Sequence, residues 1–230
     1  MFWRGRSLFK REQVPVHFLH VGKTGGTAII EALRPVAEEY RIVLHPHSTK
    51  LSDVPHDHRV FFFVRHPLTR FVSGFYSRLR RGIPRYCYEW SEAEAEAFQH
   101  FQNANNLAEA LSAADEETAS RAHAAMQGIL HVKSTYREWF SGEQELDQRL
   151  ESVVLVGLQE KLKEDFEDLK SLLRLPKTLE LPQDDVLAHR NPPTSDRRLS
   201  PVAMHNLSQW YADDIRFYEH CLQLRVRRGL

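Results

Sequence analysis

Lys23 stands directly before Gly25 and Gly26, where the apolar run Val16-His17-Phe18-Leu19 breaks into a loop and a helix begins near Thr27. Glycines at such a junction let the backbone approach an anion. The first-turn amides of the following helix point at it, and a lysine adds a full positive charge. Lys23, Thr24, Gly25, Gly26 and Thr27 therefore form a candidate phosphate cradle. It is not a Walker A loop, in which the lysine follows the glycines. A tight strand-to-helix turn with an incidental lysine is the bland alternative. A second buried-strand pattern, Arg59 to Val64, delivers Arg65-His66-Pro67 at its carboxyl end, and Ser73 follows about two helical turns later. If the two strands are parallel neighbours, Arg65 and Ser73 face the Lys23 loop across one cleft, and two anion sites share it. Taken alone, Arg65 reads equally as a strand-end surface arginine.

The elements that must position these residues read as strands early and helices late. Strands are expected at about 15–21, 41–44, 59–64 and 153–157, the pattern of an α/β fold with a central, mostly parallel sheet. Helices are expected at about 27–40, kinked or divided by Pro35, and at 69–81. Residues 91–120 have helix-forming composition, and 123–140 continue it. Residues 160–173 read as an amphipathic helix with Leu162, Phe166, Leu169 and Leu173 on one face. The stretch 175–201 reads as a long loop carrying His189-Arg190-Asn191, before a last helix that starts near Ser200-Pro201.

At 230 residues and 42% hydrophobic content, one domain over 1–230 is the economical expectation, with 1–13 disordered and 82–140 a helical insert. The net charge is zero, which argues against a general nucleic-acid partner. The charge is nevertheless unevenly placed. Residues 1–85 carry 15 basic against 6 acidic residues and 86–170 carry 7 against 18, so the basic third holds both anion sites. Cys87 and Cys221 are too few for a disulfide framework or a zinc cluster. No stretch reaches the ~18 apolar residues of a membrane span. Cytoplasmic location is the expectation, and the oligomeric state is open.

The two segments together resemble the phosphate-binding signatures of sulfotransferases that use 3′-phosphoadenosine 5′-phosphosulfate. The matching motifs are Lys-Thr-Gly-Gly-Thr after the first strand and Arg-x-Pro-x-x-Arg-x-x-Ser-x-x-Tyr after a later one. Order and spacing are most similar to the carbohydrate branch, especially the heparan 2-O-sulfotransferase type, and suggest a bacterial member. The resemblance covers residues 14–80 strongly and continues more weakly to the end. It implies a P-loop-like three-layer fold, with the first loop holding the 5′-phosphosulfate and Arg65 with Ser73 holding the 3′-phosphate. Arg190 falls where the family has a basic loop over the nucleotide. The product would be adenosine 3′,5′-bisphosphate, and the acceptor a hydroxyl on a carbohydrate or glycoconjugate. One departure is His66, where the family commonly has aspartate; we read position 66 as a turn residue rather than a phosphate ligand.

In-line transfer to a hydroxyl needs a base, and a histidine neutral near pH 7 suits the task. Leu44-His45-Pro46-His47-Ser48 resembles the His-x-His that supplies the base in the heparan 2-O type, which implies His47 as base with His45 supporting it. Two surface-loop histidines are the plain alternative. By the same parallel Lys23 is the group that meets charge on the leaving oxygen, assisted by Thr24. His56-Asp57-His58 is a second His-x-His, so a zinc set drawn from both pairs was weighed; its spacing matches no recognised zinc motif, and no metal is expected. A nucleotide kinase or a noncatalytic nucleotide-binding module on the same scaffold are the rival readings.

Overall fold

The computed structural model describes residues 14–184, 186 and 197–227. Four parallel strands form one sheet in the order β2-β1-β3-β4, with β1 at Val16–Leu19, β2 at Ile42–Leu44, β3 at Arg59–Val64 and β4 at Val153–Leu158. Helix α1 (Gly26–Leu33) links β1 to β2, whereas β3 returns to the other side of β1. The strand order thus reverses between β1 and β3. In a parallel sheet that reversal opens a crevice at the strand carboxyl ends, where the Lys23 and Arg65 segments both begin.

The β3 sequence explains its central place. Val60 to Val64 are all fully buried, the continuous apolar run expected of a strand covered on both faces. Phe61 and Phe63 pack on one face with Phe18, Ile29 and Phe166. Val60, Phe62 and Val64 pack on the other with Tyr136, Phe140 and Phe217. Gly157 on β4 pairs with Phe63, and a Cβ there would lie 2.2 Å from the Phe63 ring, so only glycine admits the phenyl group. The first face is covered by α1 and α8 (Leu162–Leu173), whose Phe166 and Leu169 are buried as the amphipathic pattern requires.

A third apolar cluster lies among helices alone. It joins α2 (Pro67–Leu79), α3 (Glu92–His100), α4 (Ala104–Ala110), α5 (Glu116–Gly128), α6 (Leu130–Lys133) and α9 (Pro201–Trp210) through Phe71, Phe75, Phe98, Leu107, Met126 and Leu207. Outside it lie α7 (Glu143–Gln148), in a stretch where no element was expected, and the last helix α10 (Ala212–Arg227).

Several boundaries differ from expectation, each for a local reason. Helix α1 stops at Leu33 rather than near residue 40, because Pro35 cannot donate the next backbone bond; Arg34 makes the last one, to Ile30 at 2.8 Å. The helical stretch 91–140 is punctuated by caps. Ser91 and Glu94 form a capping box, Asn103 accepts from Asn105 and Asn106, and Asp115 accepts from Thr118. The expected single last helix is two, divided at Tyr211, whose backbone closes α9.

Candidate active site

The loop after β1 turns through two left-handed residues, Lys23 (φ 67°) and Gly25 (φ 88°). Thr24 is fully buried and its hydroxyl donates to the Val21 carbonyl at 2.9 Å. Its side chain therefore shapes the loop and is not among the residues lining the cleft, unlike the direct role expected of it. A Cβ on Gly25 would meet Leu162 at 3.1 Å, and one on Gly26 would lie 2.2 Å from the His20 ring. Gly25 is required by the turn and Gly26 by the His20 ring that packs on it. Lys23, Gly25, Gly26 and Thr27 all line a cleft of about 1420 Å³.

Arg65 and Ser73 line the same cleft. The Arg65 guanidinium is held from two sides, by Nε donating to Thr69 Oγ1 at 3.0 Å and Nη1 donating to the Lys23 carbonyl at 3.4 Å. Its backbone is clamped as well. The Tyr136 hydroxyl accepts from the Arg65 amide at 2.8 Å and donates to the Arg65 carbonyl at 2.5 Å. His66 is the N-cap of α2, and its Nδ1 accepts from the Leu68 amide at 3.3 Å. That is the kind of bond an aspartate makes at an N-cap, so His66 serves the turn that follows Arg65.

The electrostatics are those of a crowded cationic site. Burial, with Arg80, Arg65 and Arg70 nearby, lowers the Lys23 ammonium to about 7, and burial lowers Arg65 to about 10. An anion placed among these groups would favour the charged form of each and raise both. Among the described residues of the 175–201 stretch, Arg197 lines the cleft; Arg190 lies outside the described residues.

The histidines divide into two sets. His47 lines the cleft, and its Nδ1 donates to the His20 carbonyl at 3.0 Å. A carbonyl only accepts, so the proton sits on Nδ1 and the neutral ring carries its basic lone pair on Nε2. Burial lowers the His47 pKa, opposed by that hydrogen bond and assisted by Lys23. His45, expected to support His47, instead bonds through Nε2 to His17 Nδ1 at 2.7 Å, and His17 Nε2 bonds to His58 Nδ1 at 2.8 Å. His45 and His58, one from each His-x-His pair, thus meet through a third histidine. Among the described residues no group of three or more ligating side chains converges as a metal site.

Several site residues escaped the sequence reading. His20 packs its ring 3.7 Å from that of His47, centroid to centroid, and burial lowers its pKa to about 3. His131 also lines the cleft; burial, then Lys23 and His47, push it down to about 2. Trp139 donates from Nε1 to the His47 carbonyl at 2.7 Å and lies against Gly22, fixing the histidine loop to the loop after β1. Arg70, the second arginine of the Arg-x-Pro-x-x-Arg motif, is buried. It donates to the Gly22 carbonyl at 3.0 Å and the Ser134 carbonyl at 2.8 Å, and pairs with Asp214 at 3.4 Å. The motif marked Arg70, but only the fold shows that it braces the loop from behind.

A four-stranded parallel sheet with a cleft at its switch point defines the class of open α/β folds that bind their ligands there. Within that class the match is specific: the sulfotransferase family profile fits residues 8–220, and the chain belongs to that family. No curated protein sequence matches the chain significantly. The kinase alternative gains no support from these findings. No helix among the described residues is long and apolar enough to cross a membrane.

Proposed function

We propose that the protein transfers a sulfuryl group from 3′-phosphoadenosine 5′-phosphosulfate to a hydroxyl of a carbohydrate or glycoconjugate, as in the heparan 2-O-sulfotransferase type. The observation that carries this reading is that Lys23, Arg65, Ser73 and His47 line one cleft, with His47 bonded through Nδ1 so that Nε2 is the base. The glycines also suit the donor, since a loop with no side chains at positions 25 and 26 lets its backbone come close to an anion.

In this reading Lys23, Gly25, Gly26 and Thr27 hold the 5′ end of the donor, and Arg65 with Ser73 the 3′-phosphate. The donor supplies an activated sulfuryl group. His47 Nε2 takes the acceptor proton as the new oxygen–sulfur bond forms and the bridging sulfur–oxygen bond breaks. The electron pair of the broken bond leaves on the 5′-phosphate, giving adenosine 3′,5′-bisphosphate, and Lys23 meets that charge. Residues 21–27 and 65–73 are braced by Arg70 and Tyr136, which supplies the positioning that in-line transfer depends on.

Calorimetry with adenosine 3′,5′-bisphosphate and 5′-AMP tests the cofactor. Wild type should favour the bisphosphate, and Arg65→Ala should lose about 30-fold of that preference, the equivalent of ~2 kcal/mol for a charge-assisted contact. Equal affinity of wild type for the two nucleotides would overturn the reading.

A further inference from the structure

His131 lines the cleft from a wall separate from the loops after β1 and β3, the short helix α6. That wall is fixed at both ends. The Leu130 amide donates to Glu94 Oε1 at 3.1 Å, a carboxylate that Arg78 grips at 2.6 and 2.7 Å, and the Ser134 carbonyl accepts from Arg70 at 2.8 Å. Between these ties α6 lies directly on α2 at Gly74, where a Cβ would stand 2.8 Å from the His131 carbonyl and 3.0 Å from the His131 Cβ. The glycine admits the His131 backbone beside Ser73.

The ring itself is uncommitted. No group among the described residues hydrogen-bonds it, and neither of its nitrogens is buried without a partner, so both open on the cleft. His20 differs, because its ring lies 3.7 Å from that of His47 and turns its Cδ2–Nε2 edge onto Gly26.

At pH 7 His131 is neutral, since burial, then Lys23 and His47, hold it at about 2. A neutral imidazole still has one N–H to give, and it adds no charge to a site that already crowds Lys23 with Arg80, Arg65 and Arg70. In-line transfer puts the entering and leaving oxygens on opposite sides of sulfur, with the three other oxygens arrayed between them. Lys23 attends the leaving side and His47 the entering side. A ring that feels both of them from a third wall faces the oxygens between.

Resting on the sulfotransferase reading above, we propose that His131 donates its ring N–H to a non-bridging oxygen of the sulfuryl group being transferred, as a third catalytic side chain beside Lys23 and His47. It gives up no proton. The hydrogen bond is held throughout, aimed at oxygens over which the transition-state charge is spread.

The test needs no acceptor. The donor and adenosine 3′,5′-bisphosphate differ in the sulfuryl group, so calorimetry of both nucleotides on wild type, His131→Ala and His131→Gln isolates the contact. The ratio of donor to bisphosphate affinity should fall about 5-fold in His131→Ala, the worth of one neutral hydrogen bond, while bisphosphate affinity stays at the wild-type value. Glutamine restores an N–H without a titrating ring, so His131→Gln should keep the ratio within about 2-fold of wild type. An unchanged ratio in His131→Ala, an equal loss for both nucleotides, or a His131→Gln ratio no better than that of His131→Ala would overturn the proposal and leave the sulfotransferase reading standing. A wild-type protein that binds neither nucleotide would overturn that reading and the proposal with it.

Discussion

Two residues apart on one loop, His45 and His47 present their rings to different partners. His45 bonds to His17 and through it to His58, so both nitrogens of His17 face imidazole nitrogens. His47 gives its Nδ1 proton to a backbone carbonyl and lies against the ring of His20, on the cleft side. The partners explain the division. His17 and His20 are three residues apart on and just beyond β1, so they fall on opposite sides of the sheet. Residue type made both histidines candidates. The partner decides which nitrogen is left to do chemistry.

The sharpest way to break this comparison is to delete each ring. His47→Ala should lose about 10²- to 10⁴-fold in kcat, the range for removal of a positioned base, with bisphosphate affinity preserved by calorimetry. His45→Ala should lose less than about 10-fold, because its bond is to His17 and the reaction asks nothing of it directly. A crippled His45→Ala beside an active His47→Ala would reverse the assignment.

The cleft set also includes Lys23, and here the expected effect is smaller but has a second signature. Lys23→Ala should lower kcat/KM roughly 10²-fold, as loss of one donor aimed at developing charge does. Because the free ammonium sits at about 7, much of it is neutral at pH 8, and an anionic nucleotide should draw a proton onto it. Calorimetry of the bisphosphate in buffers of different ionisation enthalpy should then show uptake of up to about one proton at pH 8, and affinity falling as pH rises above 7, by at most about tenfold per unit. Lys23→Ala should abolish the uptake. Uptake that survives in the variant would assign the proton elsewhere.

What could be read from the sequence follows the same division. The β1 loop and the β3 end were legible because the chemistry there is local: strand, glycines, lysine and arginine are contiguous, and a parallel sheet brings strand ends together. Position 66 was legible as a turn residue, though not as the N-cap it proves to be, because the helix was expected to begin near Thr69. The bracing was not. Tyr136 reaches Arg65 across 71 residues and Trp139 reaches His47 across 92, and nothing in their neighbourhoods marks either as other than core. His131 lines the cleft from a short helix whose composition resembles its neighbours. The stretch 91–140 was legible as helix but not as four separate helices, since composition is blind to the caps at Ser91, Asn103 and Asp115. The direct role given to Thr24 met a different obstacle: its hydroxyl is bonded to Val21, three residues back, a contact set by the turn rather than by the residue type.

The smallest expected effect concerns the His45–His17–His58 set and is read in stability rather than turnover. Each of its two hydrogen bonds needs one N–H facing one lone pair, and the outermost nitrogens can each carry one proton more. With both bonds intact the three rings hold at most one proton beyond neutral, whereas three unfolded histidines take up three. Burial, then His45, His58 and Arg149, hold His17 down at about 4, against about 6.5 unfolded. Between those values the unfolded chain binds more protons, so stability is full above about pH 6.5 and is lost as pH falls toward 4. His20 and His131 contribute with the same sign. His17→Gln removes one titrating group while retaining a donor and an acceptor, so its melting temperature should fall less steeply from pH 7 to pH 5 than that of wild type. The difference in slope should be on the order of 5 °C over that range for a chain of this size. A variant as acid-sensitive as wild type would mean that the chain of three rings opens without cost, and the contrast between the three linked rings and the cleft set would rest on His47 alone.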